Sequence, residues 1–292
     1  MRTVERPLVV GVDGSEPSLH ALDWAVEEAV RRGTELRIVH GSTWGWYEGH
    51  GPSFGIDRTH VRQYAEHIAA QAVERAQRLA GAVKVTGQVL PQDPALALTQ
   101  ESREACAVVV GSRGRGEAAE LLLGSVSLSV AAHAEVPVIV VRGAEKSRTG
   151  GHKRVVLGID EADGSAPVVD FAFAAAARRG AAVRAVHAWR CPAHELPDFP
   201  QGAEIFEPHR RRAEALLGKS LRQHLETHRA LVVRRDAIEG KPRSVLLNAA
   251  QTADLLVVGA RRRNGHVGMQ LGPVNHAVLH HSACPVAVVP HD

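Results

Sequence analysis

Short runs of apolar residues alternate with longer amphipathic stretches along the whole chain, the order expected of strands and helices taking turns in a parallel α/β sheet. In the first half, apolar runs predict strands over residues 7–13, 34–41, 83–90, 106–111 and 136–142. Their continuous apolar character suits strands covered on both faces. Helices are predicted between them, over about 17–31, 57–80, 94–104 and 124–134. The second of these carries an apolar stripe through Ile68, Ala72, Ala76 and Leu79, against Glu66, Gln71, Glu74, Arg75 and Arg78. Ser18, and Ser165 in the second half, stand where a hydroxyl would cap the first helix.

The pattern then repeats at a spacing of about 147 residues. Val10-Gly11-Val12-Asp13 returns as Leu157-Gly158-Ile159-Asp160, and Asp23-Trp24-Ala25 as Asp170-Phe171-Ala172. Gly33 with the run to His40 returns as Gly180 with the run to His187. Val108-Val109-Val110-Gly111 matches Leu256-Val257-Val258-Gly259, and His133 to Val141 matches His281 to Val289. Blocks spread this widely argue for duplication, with domains at 1–145 and 151–292. The glycine-containing stretch Gly143 to His152 reads as the linker.

A length of 292 residues suits two domains, and 45% apolar with 23% charged residues suits two globular cores. No run of 18 apolar residues exists. Met1 to Pro7 carries charges with no apolar stretch after it, so no secretory signal is read and a cytoplasmic setting is expected. Cys106, Cys191 and Cys284 are far apart and in apolar contexts, which predicts reduced core residues. The net charge of +3 is dispersed, so neither nucleic acid nor membrane is an expected partner. Among the 17 histidines, His276 and His280 lie one helical turn apart but lack an acidic third ligand.

The candidate chemistry lies after the fourth strand, in Gly111-Ser112-Arg113-Gly114-Arg115-Gly116 followed by Gly124-Ser125-Val126. Glycines let backbone N–H groups approach oxyanions closely and adopt positive φ. A helix beginning at Gly124–Ser125 adds orphan N–H donors and a dipole end. Ser125 offers a hydroxyl, and Arg113 and Arg115 offer charge. Asp13 ends the first strand, where ligands of open α/β sheets gather, and could hold a ribose hydroxyl or a magnesium ion. A glycine-rich loop after a strand is often only a tight turn. The full spacing G-x2-G-x9-G-S with an aspartate ending strand one is more specific, and the set suits a polyphosphate.

These residues resemble the universal stress protein family in its tandem form. The likeness rests on Gly11-Val12-Asp13-Gly14-Ser15, on Gly111, Gly114, Gly124 and Ser125, and on Val136-Pro137-Val138, and it covers the chain once per half. It implies an α/β fold of two doubly wound, parallel five-stranded sheets, each of order 3-2-1-4-5 with helices on both faces. It also implies an ATP site where strands one and four meet. Asp13 would sit near the ribose or a Mg2+ ion, Val39 to Gly41 against adenine, and Gly111 through Gly116 with Gly124 to Val126 around the phosphates, with Gly11 a further nucleotide-binding candidate. The two halves are expected to pair as a pseudo-dimer, and a homodimer is a further option.

In the second half Gly158, Asp160, Gly259, Arg261 and Gly272 are the corresponding candidates, but Arg262 replaces Gly114 and Pro273 replaces Ser125. Glu161-Ala162 replaces Gly14-Ser15. A left-handed backbone at position 262 would cost roughly 1–2 kcal/mol, and the lost N–H and hydroxyl at Pro273 about as much again. ATP is therefore expected mainly in the first half. No lysine of the GKS/T kind follows the loop, and His40 is expected beside the base rather than the γ-phosphate. The leading expectation is an ATP-binding stress-response or regulatory protein. The alternatives are a slow ATPase or adenylyl- or phosphotransferase, and a ligand-free dimerisation scaffold. Ser42–Asp57 and Trp189–Pro208, which hold Trp44, Trp46, Tyr47 and Trp189, read as lids, partner surfaces or plain loops.

Overall fold

The computed structural model describes residues 6–42, 58–114, 123–160, 166–191, 206–262 and 269–292. The chain divides into two compact units, Met1–Arg142 with Arg262–Gln270, and Gly143–Arg261 with Leu271–Asp292.

In the first unit β1 (Leu8–Gly11), β2 (Leu36–Gly41), β3 (Val85–Leu90), β4 (Ala107–Gly111) and β5 (Val138–Val141) form parallel pairs in the order β3-β2-β1-β4-β5. β1, β4 and β5 are buried at every residue, so alternation is absent from their sequences. The helices are α1 (Glu16–Arg32), α2 (Arg58–Ala80), α3 (Pro94–Ser102) and α4 (Ser125–His133). α1 packs with α2, and α3 with α4, giving the two helical layers of a doubly wound sheet.

The second unit repeats this plan. After α5 (Glu145–Arg148) come β6 (Arg154–Gly158), α6 (Ala166–Arg179), β7 (Ala182–Trp189), α7 (Glu207–Thr227), β8 (Val233–Glu239) and α8 (Pro242–Ala250). Then follow β9 (Leu255–Arg262), α9 (Pro273–His281) and β11 (Val286–His291), while β10 (Met269–Gln270), which comes between β9 and α9 in the sequence, is grouped with the first unit. The second unit's five main strands run β8-β7-β6-β9-β11, the 3-2-1-4-5 order again. α1 and α6 each end on a left-handed glycine, Gly33 at φ 68° and Gly180 at φ 56°, which turns the chain straight into the next strand. The contact between the first two helices is also repeated, with different chemistry. Asp23 takes both Nε and Nη2 of Arg75 at 2.7 Å, while at the equivalent place Asp170 meets Nε2 of His224 at 2.7 Å.

Four local expectations are corrected. The cap of α1 is Ser15, whose hydroxyl accepts the N–H of Ser18; Ser18 lies inside the first turn and donates its own hydroxyl back to the Ser15 carbonyl. Ser165 lies outside the described residues. The buried stripe of α2 continues from Ala76 to Ala80, one full turn on, and leaves Leu79 exposed. The stretch read as a linker contains a helical turn, α5, because the N–H groups of Arg148 and Thr149 find the carbonyls of Ala144 and Glu145. Of the cysteines only Cys284 is fully buried; Cys106 and Cys191 are half-buried, and the Sγ of Cys106 lies 3.9 Å from a nitrogen of Arg32.

Candidate functional site

At the carboxyl ends of β1 and β4 the first unit opens a cleft of about 480 Å³. It lies where β1 has β2 on one side and β4 on the other, so the crossovers leave in opposite directions and part. Gly11, Asp13, Val39, Gly41, Gly111, Arg113, Gly114, Gly124, Ser125 and Val126 all line it. Ser112 stands just behind, with its carbonyl accepting the Gly124 N–H at 2.8 Å, which folds the loop back onto the start of α4. Arg115 and Gly116 lie outside the described residues.

The glycines work differently from the expectation. Neither Gly111 nor Gly114 is left-handed, and Gly124 has φ −72°; among the described residues of this neighbourhood only Gly14, at φ 79°, needs that freedom. What the others supply is close approach. A Cβ at Gly114 would stand 2.6 Å from Oδ2 of Asp13, and one at Gly111 would stand 2.7 Å from the Pro17 carbonyl. A Cβ at Gly41 would stand 2.5 Å from Cα of Pro94. The loop therefore lies against Asp13, two residues past the end of β1.

Asp13 is held in place. Its Oδ1 accepts the N–H of Ser15 at 2.9 Å and the Ser15 hydroxyl at 2.5 Å, while the Asp13 N–H reaches the Ser18 hydroxyl at 3.3 Å. Oδ2 is the oxygen turned toward Gly114. The three helices that border the cleft differ at their starts. Ser15 caps α1, and Asp93 caps α3 by accepting the N–H groups of Ala95 and Leu96 at 2.9 and 3.1 Å. α4 begins on Gly124 with no side-chain cap among the described residues, and its first turn, with the positive end of its dipole, lines the cleft.

Sequence reasoning missed Ser127, whose hydroxyl donates to the Gly111 carbonyl at 2.6 Å and docks α4 on the end of β4. A signal was present: Asn275 stands at the same place in the repeat, and its side chain donates to the Gly259 carbonyl at 3.1 Å. Glu16, Pro17, Pro94 and Leu98 also line the cleft unforeseen, since only the fold brings the starts of α1 and α3 there. His40 is corrected. It is buried with Nδ1 at 2.7 Å from the Val12 carbonyl, which fixes that nitrogen as a donor, and it is not part of the cleft lining. His187 and the Ile159 carbonyl repeat the bond at 3.0 Å.

The second unit does not rebuild the cradle among its described residues. Gly158 ends β6 and Asp160 follows it, exposed. β9 has 8 residues where β4 has 5, so Gly259, Arg261 and Arg262 all remain in the strand. β11 accompanies β9 up to the pair His291–Arg261, and the His291 ring lies 2.8 Å from where a Gly259 Cβ would be. Arg262 is thus extended, and the left-handed backbone considered for that position does not arise. Gly272 caps α9 with Pro273 in the first turn, as proline permits. A Cβ on Gly272 would meet nothing within 4 Å, whereas one on Gly124 would lie 3.4 Å from Cα of Arg113.

The universal stress protein family model matches residues 5–142 and again 151–290. The chain belongs to the universal stress protein family. It is 36% identical over 303 residues to a universal stress protein of Mycobacterium tuberculosis strain CDC 1551, covering 98% of this chain and 96% of that one. It is 32% identical over 295 residues to a universal stress protein of Mycolicibacterium smegmatis, covering 98% and 97%. The crystal structure of a universal stress protein from Archaeoglobus fulgidus superposes with a TM-score of 0.69 at 19% identity, over 97% of this chain and 98% of that one. That likeness shows a shared fold. Within this stress-protein chain, close loop–aspartate packing is present among the described residues of the first repeat and not among those of the second.

Proposed function

We propose that the first half binds ATP and that the protein acts as a nucleotide-responsive regulator or scaffold in a stress response. The observation that carries this reading is the uncapped start of α4 facing Asp13 across Gly114 in one cleft. Backbone donors and a helix dipole favour a chain of phosphates, and Arg113 adds a positive charge at the rim. Val39, Gly41, Pro94 and Leu98 form an apolar wall suited to a base. Magnesium commonly binds through one or two carboxylates together with substrate phosphates, and Asp13 suits that mode because its Oδ2 faces the loop.

The cleft's described lining offers Asp13 and Glu16 as carboxylates and no lysine, histidine or cysteine, and the reading is of a binding role with slow turnover or none. Calorimetry of the full chain with ATP and magnesium tests the reading. One site of micromolar to millimolar affinity is expected, together with a thermal shift that grows with ATP concentration. A folded protein that takes up no ATP at millimolar concentration refutes it. A steady-state hydrolysis rate near the enzyme median of about 10 per second, abolished in Asp13→Ala, refutes the non-catalytic part.

A further inference from the structure

At the opposite, amino-terminal ends of its strands the second unit carries three arginines that the proposed nucleotide site does not use. Arg184 on β7 stands directly across from Arg234 on β8, and like charges so placed repel. Asp236, two residues along the same face of β8, stands between them. Its Oδ2 accepts Nε of Arg184 and its Oδ1 accepts Nε of Arg234, each at 2.7 Å. Burial pushes the Asp236 carboxyl up, but the hydrogen bonds and charges of the two arginines outweigh this and hold it below its ordinary value. Among the described residues each guanidinium is engaged only through Nε, which leaves both terminal nitrogens of each with their donors. Arg154, at the start of β6, is anchored by Nη1 to the carbonyl and hydroxyl of Thr252. The nearby Asp254 places its two oxygens on the backbone N–H groups of His152 and Arg154.

The first unit is an internal control. Arg37 occupies the register of Arg184, but it faces Thr86 across the strand and pairs with Glu101 of α3 at 2.7 Å and with Glu104 at 4.0 Å. In the second unit Ala249 and Thr252 stand at the positions of those glutamates, Arg234 replaces Thr86, and Arg154 replaces Pro7. The second copy lacks the two glutamates and gains two guanidiniums at one spot, together with one carboxylate, Asp236, where the first has Gln88. The three arginines border a groove of about 250 Å³ whose remaining lining is Ala182, Val183 and Val232.

We propose that this groove binds a phosphate group, with the terminal nitrogens of Arg184 and Arg234 gripping the oxygens and the small apolar residues lying beside whatever the phosphate is esterified to. Guanidinium edges match phosphate geometry and stay charged at every physiological pH. The inference stands independently of the nucleotide reading, since it uses other residues at the other end of the sheet.

Titration of the full chain with inorganic phosphate and with phenyl phosphate at low ionic strength tests it. Arg234→Ala should weaken both about tenfold, the effect of one lost charge-assisted contact. The Arg234 side chain is 75% exposed, so the variant should fold. Val232→Glu keeps every arginine, places a carboxylate in the mouth of the groove and should weaken binding as much. Arg78→Ala, which removes an exposed charge on α2 away from both sites, should leave it unchanged. Tighter binding of phenyl phosphate would point to an ester as the natural ligand, and equal binding to free phosphate. Absence of binding at millimolar concentration overturns the proposal, as does binding that survives Arg234→Ala and Val232→Glu or is lost in Arg78→Ala.

Discussion

Replacing Gly114 by alanine separates close approach from backbone freedom as the reason for a glycine there. The added Cβ would lie 2.6 Å from Oδ2 of Asp13, and real contacts of this kind essentially never fall below 3.0 Å. Because Gly114 is not left-handed, alanine adds no backbone strain. Something must still move. If Asp13 retreats, it gives up the N–H and hydroxyl of Ser15 at 2.9 and 2.5 Å. Two such bonds are worth about 1–3 kcal/mol together, offset by about 0.4–1 kcal/mol from the stiffer unfolded chain. If the loop retreats instead, the bond from Gly124 to Ser112 opens and the start of α4 loses its partner wall. Either movement disturbs the ATP site, so calorimetry should show affinity reduced about tenfold or more, while the urea midpoint falls only modestly. Gly81→Ala is the control: φ is 57° with open space around it, so it costs about 1 kcal/mol of stability and leaves ATP affinity alone. In an Asp13→Ala background the stability cost of Gly114→Ala should vanish, because the clashing oxygen is gone. Wild-type ATP affinity in Gly114→Ala, or a cost that persists without Asp13, would refute this account of the loop.

Ser127→Ala leaves the buried Gly111 carbonyl without its 2.6 Å donor and should cost about 1–3 kcal/mol of first-unit stability, read by urea unfolding. Arg262→Gly with Pro273→Ser restores the first half's loop residues to the second, yet calorimetry should find no second ATP site, because β9 stays paired with β11 through Arg261. Asp236, held below its ordinary value, contributes stability that is full above the unfolded carboxyl range and lost as pH falls through the lower folded value. Unfolding midpoints should therefore drop below about pH 4, and less steeply in Asp236→Asn. Burial pushes the Cys106 thiol up, outweighing the nearby Arg32, so iodoacetamide at neutral pH should label it about tenfold more slowly in the folded chain than in urea.

The sequence alone determined the architecture because burial on both faces leaves a signal that needs no tertiary knowledge. β1, β4 and β5 lie within the predicted apolar runs, and the duplication marks the same elements twice. The resemblance named Asp13, Val39, Gly41, Gly111 and Gly124 together, and these line one cleft because the loops after β1, β2 and β4 of a doubly wound sheet converge. Local choices were less legible. Whether Ser15 or Ser18 caps α1, and whether Leu79 or Ala80 is buried, turns on a rotation of one position that pattern cannot resolve. The purpose of Gly114 was invisible, because its reason is an oxygen 101 positions earlier in the chain. Only tertiary structure could reveal that β9 runs on beside β11 past the point where β4 stops. Strand pairing is decided by a partner distant in sequence, and the residues that continue β9, Ala260 to Arg262, carry no strand signature of their own.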